Sequence, residues 1–372
     1  MQITGAVLEE IGRDRPYGES QPIVVQELEL SEPGSTELLV RMEAAGVCHS
    51  DLSVVNGSRV RPLPMLLGHE AAGIVEQVGD EVTDIEVGQR VVMTFLPRCG
   101  ECKNCHTDGK LPCSVGSATN NEGTLISGAR RLSRDGETVE HHLGVSGFAT
   151  HAVVDRRSVV PVGDDVPPEI AAVFGCAVLT GGGALLNAVA PDAGESVMIV
   201  GLGGVGMAAL LTAVAEGIER IIAVDMSEEK LEQARSLGAH ETYTSEQVQE
   251  QGITADHTLE CAGHPSAFEL AFSATNPGGR TVTAGLPAPD ATSTITPLTL
   301  TSEVRTVMGS YLGSSVPSRD IPRFEQLWRA GKLPVEKLIS RHIHLDEINE
   351  AMDQLAEGAA VRQIIDFADA EA

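Results

Sequence analysis

The sequence predicts an α/β protein in which a β-rich domain accompanies a doubly wound parallel sheet. Three observations carry this expectation. Residues 195 to about 315 alternate short apolar runs with helical stretches. One of those runs leads directly into GLGGVG, a pattern suited to a tight strand-to-helix turn. Residues 1–175 instead carry many short β-like runs broken by Gly and Pro, among them ELLVRMEAAGV, AAGIVEQVG, RVVMTF and THAVV. These observations set 176–314 apart as one domain, flanked by 1–175 and 315–372.

In chain order, the first chemistry-bearing segment is GVCHSD, with Cys48, followed about twenty residues on by GHE at Gly68, His69 and Glu70. A thiolate and an imidazole separated by a turn can share a metal ion. From spacing alone, Cys48 and His69 read equally as ligands or as packing residues. Cys176, in FGCAVLTGG, and Cys261, in LECAG, read first as packing residues.

The run CGECKNCHTDGKLPC brings Cys99, Cys102, Cys105 and Cys113 within fifteen residues. Four thiolates can close a tetrahedron around one zinc ion. Such a centre has no open position, so it holds a loop (about 97–114) and does no chemistry.

SVMIV at 196–200 is apolar throughout, as a strand buried on both faces must be. Gly201, Gly203 and Gly206 then follow, with Gly204 and Val205 opening a helix whose free N–H groups face a pyrophosphate. The next strand, RIIAVD, ends in Asp225, placed to accept from ribose hydroxyls and to repel a 2′-phosphate, so NAD is expected over NADP. EEKLEQARSLGA, which carries Lys230, reads as a helix, ADHTLECAG and GGRTVTAG as further strands, and the tail as two helices around IHL.

The formal net charge is −27, from 53 acidic against 26 basic residues. Such a surface repels phosphate backbones and anionic headgroups, so no nucleic acid and no membrane is expected as a partner. Ser196–Ala215 runs 20 residues without a charge, but its glycines divide it into a strand and a helix. The start, MQITGAVLEEIGRDRP, lacks the pattern of a secretory signal, and an intracellular, cytoplasmic protein is expected.

Taken together, CHSD (48–51), LLGHEAAGIV (66–75), the four-cysteine lobe, FGC…TGGGA (174–184), GLGGVG with AVD, and the closing VRQIID resemble the zinc-dependent medium-chain alcohol dehydrogenases. The resemblance runs the length of the chain. It implies a GroES-like catalytic domain made of 1–175 together with 315–372, a Rossmann domain over 176–314, two Zn2+ per chain, and NAD. It also implies reversible oxidation of a primary or secondary alcohol to an aldehyde or ketone.

Residue by residue, the resemblance gives Cys48, His69 and Cys176 as catalytic zinc ligands and Cys99, Cys102, Cys105 and Cys113 as structural ones. Asp51 orients His69, Glu70 acts electrostatically near the metal, and Ser50 receives the substrate proton. His49, Thr180, Lys230 and Arg362 join the glycine motif and Asp225 in holding the cofactor, Arg362 on its pyrophosphate. Phe95, Arg59 and His142 fall at substrate-pocket positions.

Three departures from the family pattern stand out. Ser53 replaces an imidazole that ends the proton relay in many relatives, and a serine is no base near neutral pH. His49 replaces an arginine on the pyrophosphate. Ser58, Val60 and Ser117 stand where the glutathione-dependent formaldehyde dehydrogenases carry charged residues, which places oxidation of a thiol–formaldehyde adduct second. A nucleotide-binding protein without activity is the remaining alternative, and an intact open metal site argues against it. The long segment from Ser114 to about His141 accompanies dimers among relatives, so a homodimer is expected.

Overall fold

The computed structural model describes residues 1–358 and 360–367. The chain divides into two compact units: residues 1–107, 112–176 and from 339 on form the first, and 108–111 with 177–338 the second.

The first unit is β-rich, as its short apolar runs predict. Strands Gln2–Leu8, Ile23–Leu30, Leu132–Arg134, Glu137–His141 and Met65–Leu66 close into a small barrel. A second sheet is organised around the long strand Glu37–Val47. It pairs antiparallel with Ala71–Val78, with His151–Asp155 and with Gln363–Asp366. With strand partners along its length, Glu37–Val47 is almost wholly buried and its sequence is nearly continuous in apolar residues. Its core includes Leu38, Val40, Met42, Ala45, Leu67, Val91 and Phe148.

The segment from Ser114 to His141 is ordered. A helix, Ser114–Glu122, leads into the hairpin Leu132–Arg134/Glu137–His141, which supplies two barrel strands.

The second unit is a six-stranded, all-parallel sheet in the order Glu241–Tyr243, Ile221–Val224, Val197–Val200, Ala255–Glu260, Thr275–Thr283, Thr306–Gly309. Numbering these strands in chain order gives 3-2-1-4-5-6, the doubly wound arrangement expected from the glycine motif. Val197–Val200 and Ile221–Val224 are buried at every position.

Two boundaries differ from the sequence expectation. Residues 315–338 belong with the parallel sheet: the helix Pro317–Arg329 buries Ile321 and Phe324, and the Phe324 ring lies where a Cβ on Gly182 would point. Its amphipathic pattern predicts a buried face without saying which sheet that face covers. Within the lobe, residues 108–111 also group with the second unit, where Arg319 pairs with Asp108 at 2.6 Å.

The charge-free stretch 196–215 resolves into the strand Val197–Val200 and the 12-residue helix Gly204–Ala215. A different helical run, Pro168–Val189, is long and apolar enough to cross a membrane, but its apolar stretch is 89% buried inside the protein.

Candidate functional site

The first donor group assembles at the end of Glu37–Val47. Cys48 caps the short helix His49–Val55, and its backbone N–H donates to Asp51 Oδ2 at 3.1 Å, which fixes the first turn. His69 follows Gly68, whose φ of +91° and lack of a Cβ let the chain pass against Phe148. Cys176 comes from a far part of the sequence, inside a π-helical turn, Phe174–Val178, that interrupts the helix begun at Pro168. Such turns are rare inside α-helices and occur frequently at functional sites.

Cys48, His69 and Cys176 are all buried, and their donor atoms lie within 4.8 Å of one another. Asp51 Oδ1 sits 2.9 Å from His69 Nδ1. A carboxylate there accepts the Nδ1 proton and leaves the Nε2 lone pair free. That Nε2 is 3.5 Å from Cys176 Sγ. Ordinary zinc–sulfur and zinc–nitrogen bonds at a tetrahedral angle separate the two atoms by about 3.6 Å, so the donor set fits one tetrahedral ion with its fourth position open.

Hydrogen bonding between the two thiols draws Cys48 well below the usual thiol range and pushes Cys176 well above it. Burial alone would pull His69 down, but the Asp51 carboxylate overrides it and holds the imidazole well above its ordinary value.

Glu70 lies behind this group, with both carboxylate oxygens buried and lacking a hydrogen bond. Burial raises it to about 7 against the opposing pull of Arg362, whose Nη1 is 3.4 Å from Glu70 Oε2. Gly46 makes room for it: a Cβ there would stand 2.1 Å from Glu70 Oε1. The sequence reading passed over Gly46, although a glycine inside a strand is a sign of close approach.

Arg362, expected on a pyrophosphate, is only 3% exposed and donates from Nη1 to Val47 O at 3.1 Å. In this structure its guanidinium belongs to the Glu70 carboxylate. His142, expected to line a pocket, is 1% exposed, with Nδ1 3.2 Å from Asp51 Oδ1. Phe95 meets the His69 ring edge-on at 5.6 Å. His49 is exposed, and Ser50 and Arg59 are partly exposed. The Ser53 hydroxyl donates to Ser50 O at 2.8 Å, so it is engaged within its own helix.

The second donor group is the lobe. Sγ separations of 3.9 Å for Cys99–Cys105, 3.5 Å for Cys102–Cys105 and 3.9 Å for Cys102–Cys113 match the roughly 3.8 Å expected of sulfurs on one tetrahedral zinc. Backbone N–H groups of Cys99, Cys102 and Gly116 each point at a lobe sulfur at 3.3 Å. Four such donors would complete a tetrahedron around one ion and leave the lobe no opening for substrate.

In the parallel-sheet unit, Gly201 turns at φ +91° against Ala262, and a Cβ on Gly206 would stand 1.9 Å from Gly201 O. Both glycines are required by the protein itself. A Cβ on Gly203 would meet no atom within 4 Å, so the space above it is open, as a pyrophosphate requires. Gly204 and Val205 form the first turn of the helix that begins there. Asp225 lies across this turn, its Oδ2 accepting from Leu202 N at 2.7 Å and its Oδ1 from Ser227 N at 2.9 Å. Lys230 stands in the first turn of the next helix, and Thr180 is 8% exposed in the helix Leu179–Gly183. Cys261 is a partly buried thiol beside the glycine turn, pushed well above the usual thiol range by desolvation and with no part in either donor group.

A family model described as an alcohol dehydrogenase GroES-like domain matches residues 34–164, and one described as a zinc-binding dehydrogenase matches residues 204–330. Geraniol dehydrogenase of Castellaniella defragrans is 37% identical over 362 residues, covering 93% of this chain and 95% of its own. Alcohol dehydrogenase class-P of Arabidopsis thaliana is 33% identical over 359 residues, covering 93% and 94%. Among solved structures, benzyl alcohol dehydrogenase from Acinetobacter calcoaceticus superimposes with a TM-score of 0.90 at 32% identity, covering 99% of this chain and 100% of that one.

Proposed function

The chain belongs to the zinc-dependent medium-chain alcohol dehydrogenase family, and from that premise we propose that Cys48, His69 and Cys176 hold its catalytic zinc and that its substrate is a primary alcohol beside a double bond or aromatic ring. The enzyme oxidises alcohols with zinc and NAD as cofactors. The substrate class rests on the relatives named for geraniol and benzyl alcohol, both of which carry the hydroxyl next to unsaturation. Phe95, edge-on to His69, offers an apolar surface for such a substrate.

Zinc at the three-donor site supplies Lewis acidity that eases loss of the alcohol proton, and NAD supplies the hydride acceptor. The chain's residues do the positioning. Asp51 holds the His69 tautomer, the Ser50 hydroxyl takes the proton, and Phe95 keeps water from the reacting carbon. With Ser53 engaged on Ser50 O, the proton leaves Ser50 through water instead of a side-chain base. Asp225 favours NAD over NADP by repelling a 2′-phosphate. Arg362 serves the cofactor indirectly, by holding Glu70 beneath the metal ligands.

We also infer a homodimer. The outer strand Thr306–Gly309 leaves one edge of the sheet unpaired, and nearby Leu298 and Val304 are 73% and 75% exposed. The seven free thiols and two thiolate sites suit a reducing compartment such as the cytoplasm.

The observation that carries the assignment is the 3.5 Å approach of Cys176 Sγ to His69 Nε2 across a long sequence separation. Elemental analysis with an NAD-reduction assay on geraniol and benzyl alcohol tests it. Wild type should hold two zincs per chain, and Cys176→Ser about one, with the fold kept and activity lost. A wild type with only the lobe zinc and no NAD reduction would overturn it.

A further inference from the structure

Asp51 has two imidazole neighbours. Its Oδ1 lies 2.9 Å from His69 Nδ1 and 3.2 Å from His142 Nδ1, and its Oδ2 accepts the Cys48 N–H. All three side chains are essentially inaccessible to solvent. The His142 approach is off the line of a fully formed hydrogen bond, and no other described group serves that buried Nδ1. The ring planes add a second constraint. His69 is met edge-on by Phe95 at 5.6 Å and 85°, and by His142 at 5.5 Å and 86°.

The backbone of His142 is pinned. Its N–H donates to Ser146 Oγ at 3.0 Å, and its carbonyl accepts from Val145 N and Ser146 N. The main chain that carries the ring is therefore fixed, and the ring itself is enclosed at 1% exposure. A ring nitrogen facing a buried carboxylate carries its proton there, because a lone pair facing that oxygen would be repelled.

We propose that His142 is a positioning residue for the catalytic metal ligand: by sharing Asp51 Oδ1 with His69, it weakens the carboxylate's pull on the His69 Nδ1 proton and so makes His69 a poorer electron donor to the metal. The basis is general. A carboxylate behind a ligating histidine raises the basicity of that ligand, and a second donor on the same oxygen draws part of its charge away. A metal with a poorer donor is held less tightly and is the stronger Lewis acid. His142 thus trades metal retention for activation of the substrate. The assignment moves His142 from the substrate pocket, where sequence resemblance placed it, to the support of the metal ligand.

The inference rests on Cys48, His69 and Cys176 being the ligands, and the test separates the two. The full-length enzyme, with cobalt exchanged for zinc at the catalytic site, is compared as wild type, His142→Phe, which keeps a ring without the donor, and His142→Asn, whose amide nitrogen occupies the place of Nδ1. Readouts are the visible absorption of cobalt and its rate of loss to a chelator. His142→Phe should release cobalt about fivefold more slowly and shift the absorption bands, a smaller effect than loss of a whole outer partner. His142→Asn should behave as wild type. Unchanged or faster release from His142→Phe, or His142→Asn matching His142→Phe, would overturn the proposal. His142→Leu carries the same comparison if the phenylalanine variant does not fold. If the bands persist in Cys176→Ser, the ligand assignment fails instead.

Discussion

His141 and His142 are adjacent, equally buried and differently used. His142 faces a carboxylate, whereas His141 Nε2 accepts from Arg131 N at 3.0 Å, so its proton sits on Nδ1, 3.4 Å from Ser146 Oγ. Burial, then the charges of Arg130 and Arg131, pull His141 down to about 3. The folded protein therefore keeps this imidazole neutral, while the unfolded chain takes up a proton below its ordinary value near 6.5. The contribution to stability is complete above about pH 6.5 and is lost as pH falls towards 3, by up to about 1.4 kcal/mol per unit. Between about pH 6.5 and 5, urea unfolding of wild type should lose up to about 2 kcal/mol more stability than that of His141→Gln, which keeps an acceptor without a titrating group. Zinc ligands are common to both proteins and cancel in the difference. Parallel losses would show that His141 is not the neutral group its burial requires.

At the scale of elements, the glycine turn separates what the fold needs from what the cofactor needs. An Ala at Gly206 would drive its Cβ to 1.9 Å from Gly201 O, a backbone clash that no side-chain movement relieves. That variant should lose at least about 3 kcal/mol of stability or fail to fold. Gly203 has an ordinary φ of −78° and open space around its Cβ position, so Gly203→Ala should unfold like wild type. NADH binding, followed by fluorescence titration, should nevertheless weaken by tenfold or more, about 1.4 kcal/mol, because the methyl fills the space a pyrophosphate needs. Unchanged affinity would place the cofactor elsewhere. This turn was legible in the sequence because each glycine does local work beside its neighbours in the chain. The strand Glu37–Val47 was legible too, from an apolar run as long as the element itself. Less legible was the return of the chain near residue 339, since the helix Pro317–Arg329 shows an apolar face without its partner. Spacing alone also left Cys176 and the role of His142 open. Both depend on contacts between residues far apart in sequence, and for Cys176 the family resemblance supplied what spacing did not.

On the scale of the whole molecule, a formal charge of −27 opposes association of two copies, so any interface must lie where that charge is locally absent. The outer strand Thr306–Gly309, TVMG, carries no charge, and beside it Glu303 and Arg305 neutralise one another as an ion pair. Exposed edge strands are usually blunted by lysine, proline or a bulge within the strand, and this one has none of them. Val304 adds a second sign. It is a β-branched residue held at φ +54° with 75% of its surface exposed, an arrangement that costs free energy in an isolated chain and is offset if another surface covers it. Light scattering should therefore give twice the chain mass, and the dimer should tighten as salt screens repulsion over a Debye length of about 10 Å at 0.1 M. Leu298→Glu combined with Val304→Asp places two more charges per copy on this surface, and aspartate tolerates the left-handed backbone at 304 better than valine does. That variant should run as a monomer with its zinc content unchanged. A wild type that stays monomeric at high salt would mean that this edge is left open, with the strain at Val304 borne by the single chain.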